Sequence, residues 1–494
     1  MRAGGTLPAT RLPVPAGDPA PEDHRSRAGG CGPLRADRLR RLFPFDFPFW
    51  CGNGGPPWLD RGRVRARNRD GWNEEFRDMR VIVLGAGVIG VATAYWLLEA
   101  GHEVTVVERR EAAGVETSWG NGAIIHVSSV QPWAAPGVPM KVLRWLGQED
   151  APMLLRPSAL PRMWRWGLGF MMAARPARYR ETCLANLELA LLSARCMAEI
   201  RARTGVAYDD AGHCVLKTFA DAATLEEAAL AHEALAPFGL ETERLDRAAC
   251  VAREPALGPV AERIAGGLYF PQDEIGDCNK FSQGLAAWCA ARGARFHYNT
   301  TAKDLLLREG RVAGVTTSAD GGSGEIAGDA VVVALASQSP IFLRRHGIAL
   351  PVYPVKGLSV TVPRRVWPEG PRNAILDDTR KFALTPLGDR YRIVGSAEVA
   401  DYDTTPSPLR IGALMRGVAE LFPAMAGTET AEGAVRWAGL RPMVPDGRPR
   451  IGPTRIPGLF LNTGHGHTGW TMAAGSGQRL AALIERPERV PVAA

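Results

Sequence analysis

Val81-Ile82-Val83-Leu84-Gly85-Ala86-Gly87-Val88-Ile89-Gly90-Val91-Ala92 is the stretch on which the reading of the fold turns. Its first four residues are apolar and three are β-branched, which predicts a buried parallel strand. A glycine turn follows, then an alanine-rich apolar helix to about Ala100. Gly101 stands where a helix-ending glycine belongs. Val104-Thr105-Val106-Val107 predicts a second buried strand, ending at Glu108. The unit is βαβ with G-x-G-x-x-G in its turn. Gly85 permits the tight turn, Gly87 lets the backbone approach a pyrophosphate, and Gly90 lets helix and strand pack closely. The backbone of Gly85, Ala86, Gly87, Val88, Ile89 and Gly90 is therefore expected to hold an anion at the positive end of the helix. Glu108, with Arg109 beside it, is placed to accept hydrogen bonds from a ribose. The unit alone does not distinguish FAD from NAD.

Outward from this unit the chain changes character at Met79. The segment before it holds 14 Arg, no Lys and 10 acids, so it supplies much of the net charge of +7. It is dense in Pro, Gly and Arg and has no sustained period, which predicts a disordered N-terminal extension over residues 1–78. No apolar run follows its basic start, so it is not a signal peptide. Met79 is the expected natural start. The body carries no basic stripe, which excludes a nucleic-acid footprint. The eight cysteines form neither C-x-x-C pairs nor His/Cys metal spacings, so free buried thiols and no metal site are expected. No run reaches the length of a membrane-spanning helix. A reducing, cytoplasmic location follows.

After Glu108, Glu116-Thr117-Ser118-Trp119-Gly120-Asn121-Gly122 reads as a loop beside a cofactor, with Thr117, Ser118, Asn121 and Gly122 as contacts. Met163 to Met172 is short, apolar and rich in Trp and Met. Its aromatic residues suit peripheral contact with the inner face of the plasma membrane. Long helices are predicted over Thr182–Thr204, Thr224–Pro237 and Asn279–Arg292. Ala330 to Ala336 predicts a return to the parallel sheet. Val352–Thr361 and Tyr391–Val394 alternate as half-buried antiparallel strands should. Near the end, a strand over Gly458–Asn462 leads into Thr463-Gly464-His465-Gly466-His467-Thr468-Gly469-Trp470 and a helix from about Thr471 to Ile484. This second glycine loop offers another set of helix-start amides to an anion, through Gly464, His465, Gly466, Thr468 and Gly469.

In sequence order, several blocks now carry a resemblance. They are Val81 to Ala94, Glu116-Thr117-Ser118, Pro132-Trp133-Ala134-Ala135-Pro136-Gly137-Val138-Pro139 and Asp273-Glu274-Ile275-Gly276-Asp277-Cys278. Tyr353-Pro354-Val355-Lys356-Gly357, Gly439-Leu440-Arg441-Pro442-Met443-Val444-Pro445-Asp446-Gly447 and Asn462-Thr463-Gly464-His465-Gly466 complete the set. From Met79 on, the chain resembles the D-amino-acid dehydrogenase small-subunit family, within the D-amino-acid oxidase and glycine oxidase group. The resemblance implies an α/β protein with two domains, a Rossmann-like FAD-binding domain and an α+β substrate domain built on an antiparallel sheet. The expected pieces are 79–130, 260–340 and 436–490 for the first domain, and 131–259 and 341–435 for the second.

The resemblance further implies that FAD lies along Gly85–Gly90 and Glu108, with the loop from Gly464 facing the flavin ring. It implies that Arg441 pairs with the substrate carboxylate, a role that its planar fork of donors suits. Tyr353 is a second expected member of the substrate pocket. Lys356 lies either near the flavin or at a strand end. The implied reaction is oxidative deamination of a D-amino acid, with hydride passing from Cα–H to flavin N5. Electrons would go to a quinone or other acceptor. An oxygen-using oxidase of glycine, sarcosine or proline-like amines, and a flavoprotein without turnover, stand as alternatives. Ala336, where the family strand usually ends in glycine, and Ile124 and His126 in the loop after Asn121 depart from the family.

Overall fold

A computed structural model describes residues 79–144, 148–149, 153–210, 215–319 and 321–485. The expected disorder of residues 1–78 lies outside the described residues.

The opening strand, Arg80–Leu84, lies in the middle of a six-stranded sheet. It pairs in parallel with Glu103–Val107 on one side and Ala330–Val333 on the other. Arg295–His297 and Leu459–Thr463 extend the sheet in parallel, and Arg450–Pro453 closes one edge antiparallel. The β-branched run packs on both faces because helices or strands cover both. Val81 and Val83 face the Val88–Glu99 helix, and Ile82 faces Val315 and Leu459. Each such buried side chain contributes about 1.5–3 kcal/mol relative to leaving it in water.

The C-terminal helix, Gly469–Ile484, lies against the Val88–Glu99 helix and the Pro176–Thr204 helix. Two glycines make that approach feasible. A Cβ on Gly477 would sit 2.8 Å from the Ala92 carbonyl oxygen, and one on Gly475 would sit 2.8 Å from Ser193 N. Asn462 Nδ2 donates to Thr93 Oγ1 at 2.9 Å and ties the preceding strand to the first helix. The two helices are thereby held in close contact.

The second large sheet has nine strands and is mostly antiparallel. Tyr353–Pro363 runs antiparallel between Val435–Met443 and Arg390–Val399. Two pairings in it are parallel, Ala374–Asp377 with Val215–Phe219 and Met153–Leu155 with Arg390–Val399. Two expectations are corrected here. The boundaries at 260 and 436 group Gly266–Phe270 and Val435–Met443 with the six-stranded sheet, but both pair within the nine-stranded one. Their apolar and glycine composition does not reveal which sheet a short strand joins. Tyr353–Pro363 is also not half-buried, because every residue but its last is buried. Its polar residues Lys356, Ser359 and Thr361 are buried rather than solvated.

Candidate functional site

The first glycine turn has the geometry its residues require. Gly85 has φ +98°, and a Cβ there would meet the Ala334 carbonyl oxygen at 2.8 Å. A Cβ on Gly90 would lie 1.9 Å from the Gly85 carbonyl oxygen, so the helix closes on the turn only with glycine in place. Gly87 is the N-cap of the helix and supplies no side-chain cap, while Ser118 Oγ accepts from Val88 N at 3.1 Å. Glu108 accepts from Ala86 N at 2.7 Å and from Arg110 N at 2.9 Å. Burial pushes its carboxyl pKa upward, and those two amides oppose the shift.

The second loop is built from left-handed glycines, with φ +79° at Gly464 and +58° at Gly466. A single turn of 3-10 helix, Gly466–Thr468, leads into Gly469–Ile484. Thr468 Oγ1 donates to the His465 carbonyl at 2.9 Å rather than capping the helix, so the N-cap side chain leaves the first amides free of a cap. His465 and His467 are held neutral by burial, each with its pKa lowered to about 3. Arg441 and His126 add to the lowering at His467.

Both loops open onto one cavity of about 530 Å³. Gly85, Gly87, Val88, Ile89, Glu108 and Arg109 line it from the first unit, and Thr117, Ser118, Asn121 and Gly122 from the loop after it. Gly464, His465, Gly466, Thr468, Gly469 and Arg441 line it from the C-terminal region. Ala86 and Gly90 stand behind the lining, one hydrogen-bonded to Glu108 and the other packed on the turn. Tyr353 is not brought to the cavity. Its hydroxyl donates to Asp401 and its ring packs near Trp166. Lys356 does not line the cavity, nor does it stand at a strand end. It is 2% exposed within its strand and pairs with Asp403 at 2.7 Å and Glu398 at 3.2 Å.

Arg441 is positioned by two facing strands. Gly357 pairs with Gly439 across the ladder, and the guanidinium lies in the space a Gly357 side chain would fill. A Cβ there would be 2.3 Å from Nη1, 2.4 Å from Cζ and 2.5 Å from Nη2. Among the described residues no carboxylate pairs with Arg441. Nη1 donates to the Ser396 carbonyl at 3.3 Å, and Cζ sits 5.8 Å from the Trp133 ring centroid. Burial lowers its pKa to about 10, so it remains a cation at neutral pH. Trp133 in turn stacks on His467, with centroids 5.4 Å apart.

Several cavity residues are not read as site residues from the sequence, Trp437, Trp133, Gly357 and Ala336 among them. Trp437 lies over Gly439 and Gly120, whose added Cβ atoms would meet its ring at 2.0 Å and 2.5 Å. Trp133, Gly357 and Ala336 also line the cavity or shape it. Trp133 stands inside the Pro132–Pro139 block and Trp437 lies two residues before the Gly439–Gly447 block, so nearness to a motif is the available signal. Ala336 holds φ +48°, a left-handed conformation that costs an alanine about 1–2 kcal/mol.

The residues fit FAD. Two helix starts, neither capped by its own N-cap residue, and a ribose-seeking carboxylate share one cavity, and its glycines leave room where side chains would fill it. Among comparisons with known proteins, the model of the family "FAD dependent oxidoreductase" matches residues 80–483. A D-amino acid dehydrogenase from Sinorhizobium medicae is 46% identical over 82% of this chain and 96% of its own length. A D-amino acid dehydrogenase from Paramagnetospirillum magneticum is 44% identical over 83% of this chain and 96% of its own. The crystal structure of glycine oxidase from Bacillus cereus shares the fold, with a TM-score of 0.62 at 24% identity over 83% of this chain and 97% of that one. The family resemblance read from the motifs is thus borne out: the chain belongs to the FAD dependent oxidoreductase family, and FAD is its cofactor.

Proposed function

We propose that this protein oxidises D-amino acids to imino acids, which water hydrolyses to 2-oxo acids and ammonia. The observation that carries the reading is Arg441, a cavity-facing guanidinium with no carboxylate partner among the described residues. Such a group binds the carboxylate of an amino acid bidentately and sets its orientation. The name of the relatives supports the D-amino acid as substrate class. When bound, FAD supplies the two-electron acceptor for the Cα–H hydride.

The chain's own residues do the rest. Arg441 holds the carboxylate, and Gly357 leaves it the space to do so. Trp133 and Trp437 wall the site from water. The start of Gly469–Ile484 stabilises negative charge at its end of the cavity. Gly85–Gly90 and Glu108 take the ADP end, and the loop from Gly464 to Gly469 takes the ring end. The six-stranded sheet forms the cofactor layer and the nine-stranded sheet the substrate layer.

The electron acceptor is a quinone in this reading, and one surface supports delivery to a membrane. Along the Leu160–Ala173 helix, Trp164, Leu168, Met171 and Met172 are 59%, 49%, 52% and 52% exposed, while Met163 and Phe170 are buried. Their spacing puts the exposed four on one face, which suits insertion at a lipid interface. No helix among the described residues is long and apolar enough to cross a membrane.

Anaerobic mixing with a panel of D- and L-amino acids tests the function. D-amino acids should bleach the flavin and L-amino acids should not. No bleaching by any D-amino acid refutes the proposal. Fast bleaching by glycine or sarcosine with stoichiometric peroxide in air replaces it with the oxidase reading.

A further inference from the structure

Three histidines line the cavity, and His126 is paired with a buried carboxylate. It follows the short Ile124–Ile125 strand, which pairs with Glu274–Ile275. Its Nδ1 is 2.8 Å from Asp273 Oδ2 and 3.0 Å from Ser128 Oγ. Ser128 Oγ donates to the same carboxylate oxygen at 2.6 Å, and Ser128 N donates to the other at 2.9 Å. Asp273 is 1% exposed. With an ionised carboxylate as acceptor, Nδ1 carries the proton and the ring's lone pair lies on Nε2. Nε2 is buried with no hydrogen-bond partner among the described residues. The backbone is also fixed, since His126 N donates to Thr471 Oγ1 in the first turn of the C-terminal helix at 2.8 Å.

This is an oriented, polarised imidazole with an unused acceptor, and a buried acceptor left unsatisfied costs about 1–3 kcal/mol. The deamination reading above, on which this inference rests, needs a proton acceptor. An amino acid arrives with an ammonium group, and Cα–H leaves as hydride only when the nitrogen lone pair is free to form the C=N bond. His465 is buried and His467 half-buried, neither has a carboxylate partner among the described residues, and both are held neutral. Arg441 is a cation. Around His126, the other titratable or charged groups are His467 and Arg441 on the cavity side, His232 near Asp273, and Glu274, which Arg201 pairs.

We propose that His126 Nε2 takes the proton from the substrate ammonium, with Asp273 and Ser128 as positioning residues. One N–H bond of the ammonium breaks and one Nε2–H bond forms. The amine becomes neutral, the imidazolium is balanced by Asp273, and the proton leaves to water after the product departs. Arg441 and His126 would then grip the two charged ends of one amino acid.

His126→Gln tests this in the FAD-loaded protein. For D-alanine, kcat/KM of the variant should fall about 10²-fold near neutral pH and recover as pH rises toward the ammonium's own pKa. A loss of the same size at every pH, or no loss, overturns the proposal. A second readout needs no turnover. 2-Aminoisobutyrate has no Cα–H to lose as hydride, and isobutyrate keeps its carboxylate but lacks the amine. By calorimetry the variant should bind 2-aminoisobutyrate about tenfold more weakly while binding isobutyrate within about twofold of the parent. Equal weakening of both ligands overturns the proposal. Asp273→Asn should shift the pH profile in the same direction as His126→Gln. If D-alanine bleaches the flavin in neither protein, the deamination reading fails, and the two-ligand contrast still decides the role of His126.

Discussion

Gly357→Ala is a one-carbon change that should disable substrate docking while sparing the fold. The added Cβ would lie 2.3–2.5 Å from three guanidinium atoms of Arg441, far inside contact distance. Tyr353–Pro363 is flanked by strands on both sides, with Gly357 paired to Gly439 on one side and at a bulge on the other, which limits how far the backbone can retreat. Gly357 does not have a left-handed φ, so alanine brings no backbone strain there. The side chain of Arg441 must therefore move, by roughly 1 Å to restore van der Waals contact. A misplacement of that size in a substrate-positioning group costs about 10²-fold in rate, or about 2.7 kcal/mol. The assay is kcat/KM for D-alanine with a dye acceptor, alongside a thermal melt and the flavin spectrum. The expected result is a loss of about 10² in kcat/KM with FAD retained and the melt little changed. A variant with wild-type kcat/KM refutes the docking geometry.

Other consequences are open to measurement. Gly90→Ala would place a Cβ 1.9 Å from the Gly85 carbonyl oxygen, with backbone rather than a flexible side chain as the obstacle, so the purified variant should lack flavin absorbance. Ala336→Gly should relieve a left-handed alanine at the cavity and raise stability by up to about 1 kcal/mol, read as a higher Tm. His465 and His467 titrate near pH 3 when folded but near 6.5 when unfolded. The unfolded chain then binds more protons between those values, so stability should fall as pH drops from about 6.5 toward 3. His465→Asn should reduce that slope in pH-dependent denaturant melts.

Much of this arrangement is legible in the residues. The β-branched run, the spaced glycines and Glu108 specify the first unit because each step is local. The second loop is legible for the same reason, and the two loops line a single cavity. What local pattern does not carry is partnership across distance. Lys356 looks like a strand-end charge, yet Glu398 and Asp403, more than forty residues on, let it be buried mid-strand. Tyr353 is adjacent in sequence to the substrate-side block, but Asp401 claims its hydroxyl. His126 shows as a departure from the family, whereas its carboxylate comes from Asp273, 147 positions later in the chain. Gly357 reads as a flexible residue until the guanidinium beside it is seen.

The central claim is that Arg441 steers the carboxylate of an amino acid in a cavity formed by two helix starts. Anaerobic flavin reduction by D-alanine and by D-alaninamide, which has no carboxylate, tests it most directly in the parent and in Arg441→Ala. The parent should prefer D-alanine by about 10²-fold or more, and the variant should lose that preference while keeping its slow rate with the amide. An Arg441→Ala protein that still favours D-alanine by the same factor would contradict the account.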